Sequence, residues 1–409
     1  FKQKTAYEIM PSLVGSEMCI RDRNKVNKLK SEQLSHLKQN IIKDEKFVSV
    51  ISASFGDGHN AAAKGVVEAF NSLKVPNSGL IDLLEQIHPA TMSCFTKGYR
   101  LVTTRWPAIW EKMYMLAESF PFGNESFDLM PSITNGFSKY LRETKPDAII
   151  STYPLYGHIV ERIFGNGDLP FKFVTMITDS KSINKSWFHG ASGEFAVLDQ
   201  ISANKLISHG ISSERIHITG FPVSPRFSEN RPKEFENKLP KEFKILYTPT
   251  SNNLHVASTL RELNHLTDKS PNKISLTIVM GRHFNRLDKI VRSQAPEGST
   301  ILGWTKRMSE LLSTSHLIIG KAGGASVQEA MASACPMIID SMIPGQEEGN
   351  AEMITKIGAG IVAFEPKEIR STIEDLLGNN GKEWLKFRKN CHIKSTPEAA
   401  LNLAKIAIN

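Results

Sequence analysis

Cysteine is scarce in this sequence. Four occur in 409 residues, Cys19, Cys94, Cys335 and Cys391, and no two form a C-x-x-C pair. That spacing argues against a zinc site and a disulfide framework, and it fits a reducing, cytoplasmic compartment. Long apolar runs are absent too: no segment approaches the roughly 18–20 consecutive apolar residues of a membrane span, and none has the basic-then-apolar form of a secretory signal. Nor is there an arginine-rich, low-complexity tail of the kind common in RNA binders. Acidic charge falls short of basic: 42 Asp and Glu against 50 Lys and Arg give a net charge of +8. Such a balance suits an anionic partner, whether nucleic acid, an anionic membrane surface or a phosphorylated small molecule, without choosing among them.

Apolar residues make up 40% of the chain, enough for two cores at this length. Residues 1–46 read as an extension. Within it, "YEIMPSLVGSEMCIRDR" has neither period nor caps and resembles a translated sequencing-adapter segment, so residues 1–23 are read as non-native. From residue 47, short apolar runs alternate with helical stretches: "FVSVISA" (47–53), "GLIDLL" (79–84), "DAIISTY" (147–153), "FKFVTMITD" (171–179), "EFAVLD" (194–199) and "RIHITGFPV" (215–223). The polar stretch 224–242, with three prolines, reads as a linker. The alternation then restarts in "FKILYTPT" (243–250), "ISLTIVMG" (274–281), "STILGW" (299–304), "HLIIGKAGG" (316–324), "PMIIDSM" (336–342) and "GAGIVAF" (358–364). This pattern predicts an α/β protein with two Rossmann-like, doubly wound domains, 47–223 and 243–380, facing a central cleft. A helical segment, 381–409, follows and is broken near Pro397. Ligands in such sheets bind at the carboxyl ends of the strands.

The richest of these ends is "GKAGGASVQEAMASACPMIIDSMIPGQEEGNAEMI" (320–354). A strand ends in glycines and a helix opens near Ser326. Gly323 and Gly324 allow close backbone approach, and the free N–H groups of a helix start favour an anion such as a diphosphate. Glu329, one turn inside, can reach two ribose hydroxyls, although an ordinary acidic first turn has the same form. Gln346, Glu347 and Asn350 follow the next strand, and carboxylate and amide groups on one loop suit a hydroxyl-dense sugar.

That segment resembles the donor-binding region of family 28 glycosyltransferases, of the monogalactosyldiacylglycerol synthase and processive diacylglycerol glucosyltransferase type. "SASFGDGHNAAA" (52–63) is similar to their G-x-G-H loop. "PDAIISTYP", "TMITDS", "WFH" and "ITGFPVSPRF" fall in the family's order, so the resemblance runs over about residues 47–370. It implies the GT-B fold and transfer of a hexose from a UDP-sugar to diacylglycerol, with glucose and galactose not distinguished. UDP-sugar is a substrate, so no separate cofactor is implied. No metal is implied either, and no convincing Asp-x-Asp motif is present. By position, Gly323, Gly324, Ala325 and Ser326 fall at the diphosphate with Lys321 nearby, Glu329 at the ribose, and Gln346, Glu347 and Asn350 at the hexose. Gly281 and Arg282 of "MGRHF" flank uracil or phosphate. One departure stands out: where the family often has a Gly-rich turn, this chain reads "YTPTSNN" (247–253), leaving Thr250 and Ser251 as substitutes. Nucleic acid is not among the partners implied.

In the first domain His59 is the candidate general base, since glycosyl transfer to an alcohol requires removal of the acceptor proton and an imidazole titrates near neutral pH. The family assigns its G-x-G-H histidine this way. Gly56 and Gly58 then leave room for the acceptor. Asp179 is a second candidate, as orienter of His59, as the base itself, or as a plain strand-terminal cap. A rival class is open as well: Gly56, Gly58 and Ala61 satisfy G-x-G-x-x-A, and Asp82 follows at about the spacing of a nicotinamide-dinucleotide fingerprint. Against it, Asp57 lies among the amides that would cradle pyrophosphate. A UDP-sugar epimerase, a transferase to another lipid-linked acceptor and a non-catalytic binding protein share the same plan. Finally, "FTKGYRLVTTRWPAIWEKMYMLAESFPF" (95–122) mixes Trp106 and Trp110 with Arg100 and Arg105, which suits peripheral contact with an anionic membrane; an amphipathic core helix would show the same stripe.

Overall fold

The computed structural model describes residues 46–54, 57–94, 98, 102, 131–165, 167–179, 183–188, 192–233, 238–344 and 347–409. Residues 1–45, including the segment 1–23, lie outside the described residues. Two parallel six-stranded sheets carry the rest. The first contains β1 (Val48–Ser52), β2 (Asn77–Asp82), β3 (Ala148–Ser151), β4 (Lys172–Met176), β5 (Glu194–Val197) and β6 (Ile216–Ile218), in the order β2-β1-β3-β4-β5-β6. The second contains β7 (Glu242–Thr248), β8 (Lys273–Val279), β9 (Thr300–Leu302), β10 (Leu317–Lys321), β11 (Met337–Ser341) and β12 (Gly360–Val362), in the order β12-β11-β10-β7-β8-β9. Central strands such as "VSVIS" and "AIIS" are buried at every position. That is what helices on both faces require, and it is why these strands read as continuous apolar runs instead of alternating ones. The GT-B arrangement anticipated from the sequence is thus the one observed, and the strand order reverses between β1 and β3 and again between β7 and β10. Those two reversals open the crevices where ligands bind in this class of sheet.

The helices that bear on the site are α1 (Asp57–Ser72), α2 (Leu83–Ile87), α3 (Pro225–Glu229), α4 (Asn253–Lys269), α5 (Gly324–Ala332), α6 (Glu348–Lys356), α7 (Pro366–Lys394) and α8 (Ala399–Ile408). On α1, Ala63, Val66, Ala69 and Phe70 form a helical stripe against β1, while Ala62 enters a separate core shared with Val327, Ala330 and Met331 of α5. The helices that follow the two glycine-rich turns therefore pack on each other. Gly65 lets the segment after β6 lie against α1: a Cβ there would lie 2.0 Å from the Pro222 carbonyl oxygen.

Phe221 and Val223, just before the polar stretch 224–242, and Phe227, within it on α3, are buried in that same interdomain core. The C-terminal segment divides between the domains. Within α7, residues 378–381 leave helical geometry. Beyond the break, Trp384 is fully buried and donates from Nε1 to the His316 carbonyl at 2.7 Å. After α7 the chain crosses back past Gly220, whose positive φ of +84° and missing side chain admit Thr396. Helix α8 then covers the first sheet with Ala400, Leu403, Ala404 and Ala407, packed in the cluster of Val48, Val50 and Ile150. Burial of Leu403 alone contributes about 2 kcal/mol.

Candidate active site

The site is built from the carboxyl ends of the strands nearest the two reversals. In the first domain, β1 runs into α1, whose third residue is His59. The loop before it is anchored from two sides. The Ser54 amide donates to Asp82 Oδ2 at 2.7 Å, and the Tyr156 hydroxyl donates to the Ser52 carbonyl at 3.0 Å. Asp82 Oδ1 caps α2 by accepting from the Glu85 amide at 3.0 Å. Both oxygens of the acid that a dinucleotide fingerprint would turn toward a ribose are thus occupied by backbone donors.

His59 is partly buried among residues that follow β3 and β4. Its Nδ1 lies 2.8 Å from Thr178 Oγ1, and its carbonyl accepts from Thr152 Oγ1 at 3.1 Å. Tyr153 meets the imidazole edge-on with ring centres 5.3 Å apart, and Trp187 lies tilted at 5.7 Å. Burial pulls the imidazole below its usual 6.5; the Asp179 carboxylate and a Thr152 backbone contact oppose that pull without reversing it. The hydrogen-bond partner of His59 is thus Thr178, not Asp179. Asp179 accepts instead from Trp187 Nε1 at 2.6 Å and acts on His59 through charge. Gly58 faces open space, with nothing within 4 Å of where a Cβ would stand. Gly56 lies outside the described residues.

In the second domain, β10 ends at Lys321 and α5 starts at Gly324, with Gly323 as its N-cap. No side chain caps this helix, so its first amides point outward without an internal acceptor, which is the arrangement that receives an anion. Lys321 Nζ bonds Glu347 Oε1 at 2.5 Å, and Glu347 Oε2 accepts from the Ile343 amide at 2.8 Å. Asn350 donates from Nδ2 to the Ala322 carbonyl at 3.1 Å, and its side chain lies 3.6 Å from where a Gly324 Cβ would stand. Lys321, Gly323, Gly324, Glu347 and Asn350 are therefore brought together, with Ala325 and Ser326 on the same first turn. Glu329, one turn further along, is raised by burial to about 7. Gly281 and Arg282 open a short turn after β8, with Gly281 at φ +54° facing open space and Arg282 exposed. Thr250 and Ser251 follow β7, at the strand-order reversal. Gln346 lies outside the described residues, as do Arg100, Arg105, Trp106 and Trp110.

Two neighbours of His59 are not announced by the sequence. Thr178 stands beside the charged Asp179, which is the more conspicuous candidate to orient an imidazole. Trp187 stood within the quoted "WFH", but nothing local says that its indole reaches back to Asp179. Among the described residues, no group of three His, Cys, Asp or Glu side chains is placed to hold a metal, and no helix is long and apolar enough to cross a membrane.

Comparison with known proteins adds independent weight. Residues 59–223 match the model of the monogalactosyldiacylglycerol (MGDG) synthase family, and residues 255–400 match the glycosyltransferase family 28 C-terminal domain. The chain is 26% identical over 401 residues to monogalactosyldiacylglycerol synthase 3, chloroplastic, of Arabidopsis thaliana, covering 91% of this chain and 83% of that one. It is 25% identical over 363 residues to a processive diacylglycerol beta-glucosyltransferase of Staphylococcus epidermidis, covering 87% and 90%. Among solved structures, a UDP-GlcNAc 2-epimerase from Neisseria meningitidis superposes with a TM-score of 0.56 at 14% identity, over 88% of this chain and 98% of that one. That last likeness shows the fold alone, which transferases and epimerases share.

Proposed function

Because the chain belongs to the family 28 glycosyltransferases of the monogalactosyldiacylglycerol synthase type, we propose that it moves a hexose from UDP-glucose or UDP-galactose to the free hydroxyl of diacylglycerol. The observation that carries this reading is the uncapped start of α5 beside Lys321, with Glu347 and Asn350 against the same turn. It offers amide dipoles and one cation to a diphosphate, and carboxylate and amide groups to sugar hydroxyls. UDP is the leaving group: the bond from C1 of the hexose to the diphosphate oxygen breaks, and the helix start and Lys321 stabilise the charge that develops there. The acceptor oxygen forms the new bond to C1, and its proton passes to His59, which burial keeps neutral at pH 7. Asp179 stabilises the imidazolium that results. Gly281 and Arg282 serve the uracil or the phosphate, Glu329 the ribose, and Gln346 the hexose.

The acceptor stays in the bilayer, so the enzyme works as a peripheral protein on a cytoplasmic, anionic membrane face. The excess of basic residues and the tryptophan-bearing stretch 95–122 support this. Co-sedimentation with anionic vesicles should fall when Trp106 and Trp110 become Ala; unchanged binding would return that stretch to a packing role. The function itself is tested by offering UDP-glucose and UDP-galactose separately with diacylglycerol vesicles and identifying the lipid product by mass spectrometry and linkage analysis. UDP, and not NAD, should raise the Tm. Stabilisation by NAD alone, with no glycolipid from either donor, would sink the reading.

A further inference from the structure

We propose that Thr178 is the positioning residue for His59: its hydroxyl accepts from Nδ1–H of the imidazole, and so presents Nε2 to the acceptor hydroxyl. This rests on the reading of His59 as general base. The geometry is specific. Nδ1 and Thr178 Oγ1 are 2.8 Å apart, and Thr178 is itself buried at 8% exposure at the end of the β4 segment, so water competes little for that bond. The carboxylate next to it has its own task. Asp179 holds Trp187 through Nε1, and Trp187 sits on a short turn, Lys185–Trp187, that is pinned twice. Asn184 accepts from the Ser186 amide at 2.9 Å, and buried His158 bonds the Ser186 carbonyl through Nε2 at 2.7 Å. Trp187 and Tyr153 then wall the imidazole on two sides. The ring is held by packing, and its tautomer is chosen by a hydroxyl.

A hydroxyl in this place has a consequence that a carboxylate would not. It orients the ring without adding a second negative charge, so the imidazole stays unprotonated at neutral pH and ready to accept. The charged or titratable groups that face it are Asp179 and Tyr153, and burial pushes the Tyr153 hydroxyl above its usual range. On proton transfer the acceptor O–H bond breaks, its electrons form the O–C1 bond, the proton settles on Nε2, and Nδ1–H keeps its bond to Thr178.

The test compares Thr178→Val, Thr178→Ser and His59→Ala in the full chain, with UDP-sugar and diacylglycerol vesicles. Thr178→Val keeps the shape and removes the acceptor. Its kcat should fall on the order of 10- to 100-fold, as expected for a misplaced reacting group, with KM for the UDP-sugar and the Tm shift by UDP unchanged. Thr178→Ser should restore most of kcat and the wild-type pH profile. Wild-type kcat and pH profile in Thr178→Val, alongside an inactive His59→Ala, would overturn the positioning role alone. Full turnover by His59→Ala would overturn both this role and the base. If the Val variant fails to fold, the Ser variant still decides: a hydroxyl that restores folding but not kcat removes the positioning role.

Discussion

The molecule contains two strand–turn–helix units of nearly the same design, β1 to α1 and β10 to α5, and they differ in what stands at the helix start. Both turns carry paired glycines. At α5 the turn has a lysine on one side and no side chain over the first amides. At α1 the first turn carries Asp57 and His59. A glycine-rich turn is thus not by itself a phosphate site. On the proposed reading, the lysine beside the α5 amides favours an anion there, and the α1 turn is left to the acceptor alcohol next to the base.

That contrast can be broken by experiment. The largest effect belongs to His59→Ala, which should lower turnover by about 10²–10⁴-fold, the usual range for a general base, while the UDP-induced rise in Tm persists. Loss of UDP binding in this variant would erase the division of labour between the two turns. The pH profile should agree. The base must be neutral, and its pKa lies below 6.5, so activity should hold above that value and fall as pH drops through the lowered pKa. An acid limb above 6.5 would contradict it. Next comes Gly323→Ala. The added methyl would meet only ordinary contacts, Ser326 Oγ at 3.5 Å, Lys321 Cε at 3.7 Å and Glu347 Oε1 at 3.8 Å. The free enzyme should fold normally, yet the methyl stands where an anion approaches, and UDP affinity measured by calorimetry should weaken about 10-fold, or about 1.4 kcal/mol. Unaltered affinity would move the diphosphate elsewhere.

Glu329→Gln tests the ribose contact more gently. With its carboxyl at about 7, the wild type becomes a better acceptor of ribose hydroxyl protons as pH rises, so UDP affinity should increase a few-fold from pH 6 to pH 8. The Gln variant should lose that slope; the same slope in both proteins would exclude Glu329. The smallest effect is expected of Gly58→Ala. Its methyl would point into open space, so UDP affinity should not change, and stability should stay level or gain up to about 1 kcal/mol from better helix propensity. A UDP defect here as large as that of Gly323→Ala would make the two turns equivalent after all.

The fold was legible because strands buried on both faces are forced to be short apolar runs, and because "KAGGAS" and "GDGH" each sit where such a run stops. The donor turn was legible for the same local reason. What could not be read were contacts that close over distance. Asp82 looked like a ribose ligand from its spacing, yet it is taken by Ser54 and Glu85, two backbone groups that spacing cannot reveal. Asp179 looked like the partner of His59 because charge is conspicuous, and the neutral Thr178 is the residue that makes the bond. The final segment read as helical, with nothing local to say that α8 covers the first sheet and not the second.

Helix α8 has an implication for how the protein is made. Four of its buried side chains pack on the first sheet, but the ribosome delivers them only after the whole second domain has been synthesised. Until then the part of that face that α1 leaves bare stays uncovered, and the first domain is incomplete during translation. The nascent chain therefore has to carry exposed apolar surface through most of its synthesis, a state that draws on chaperones and is prone to misassembly.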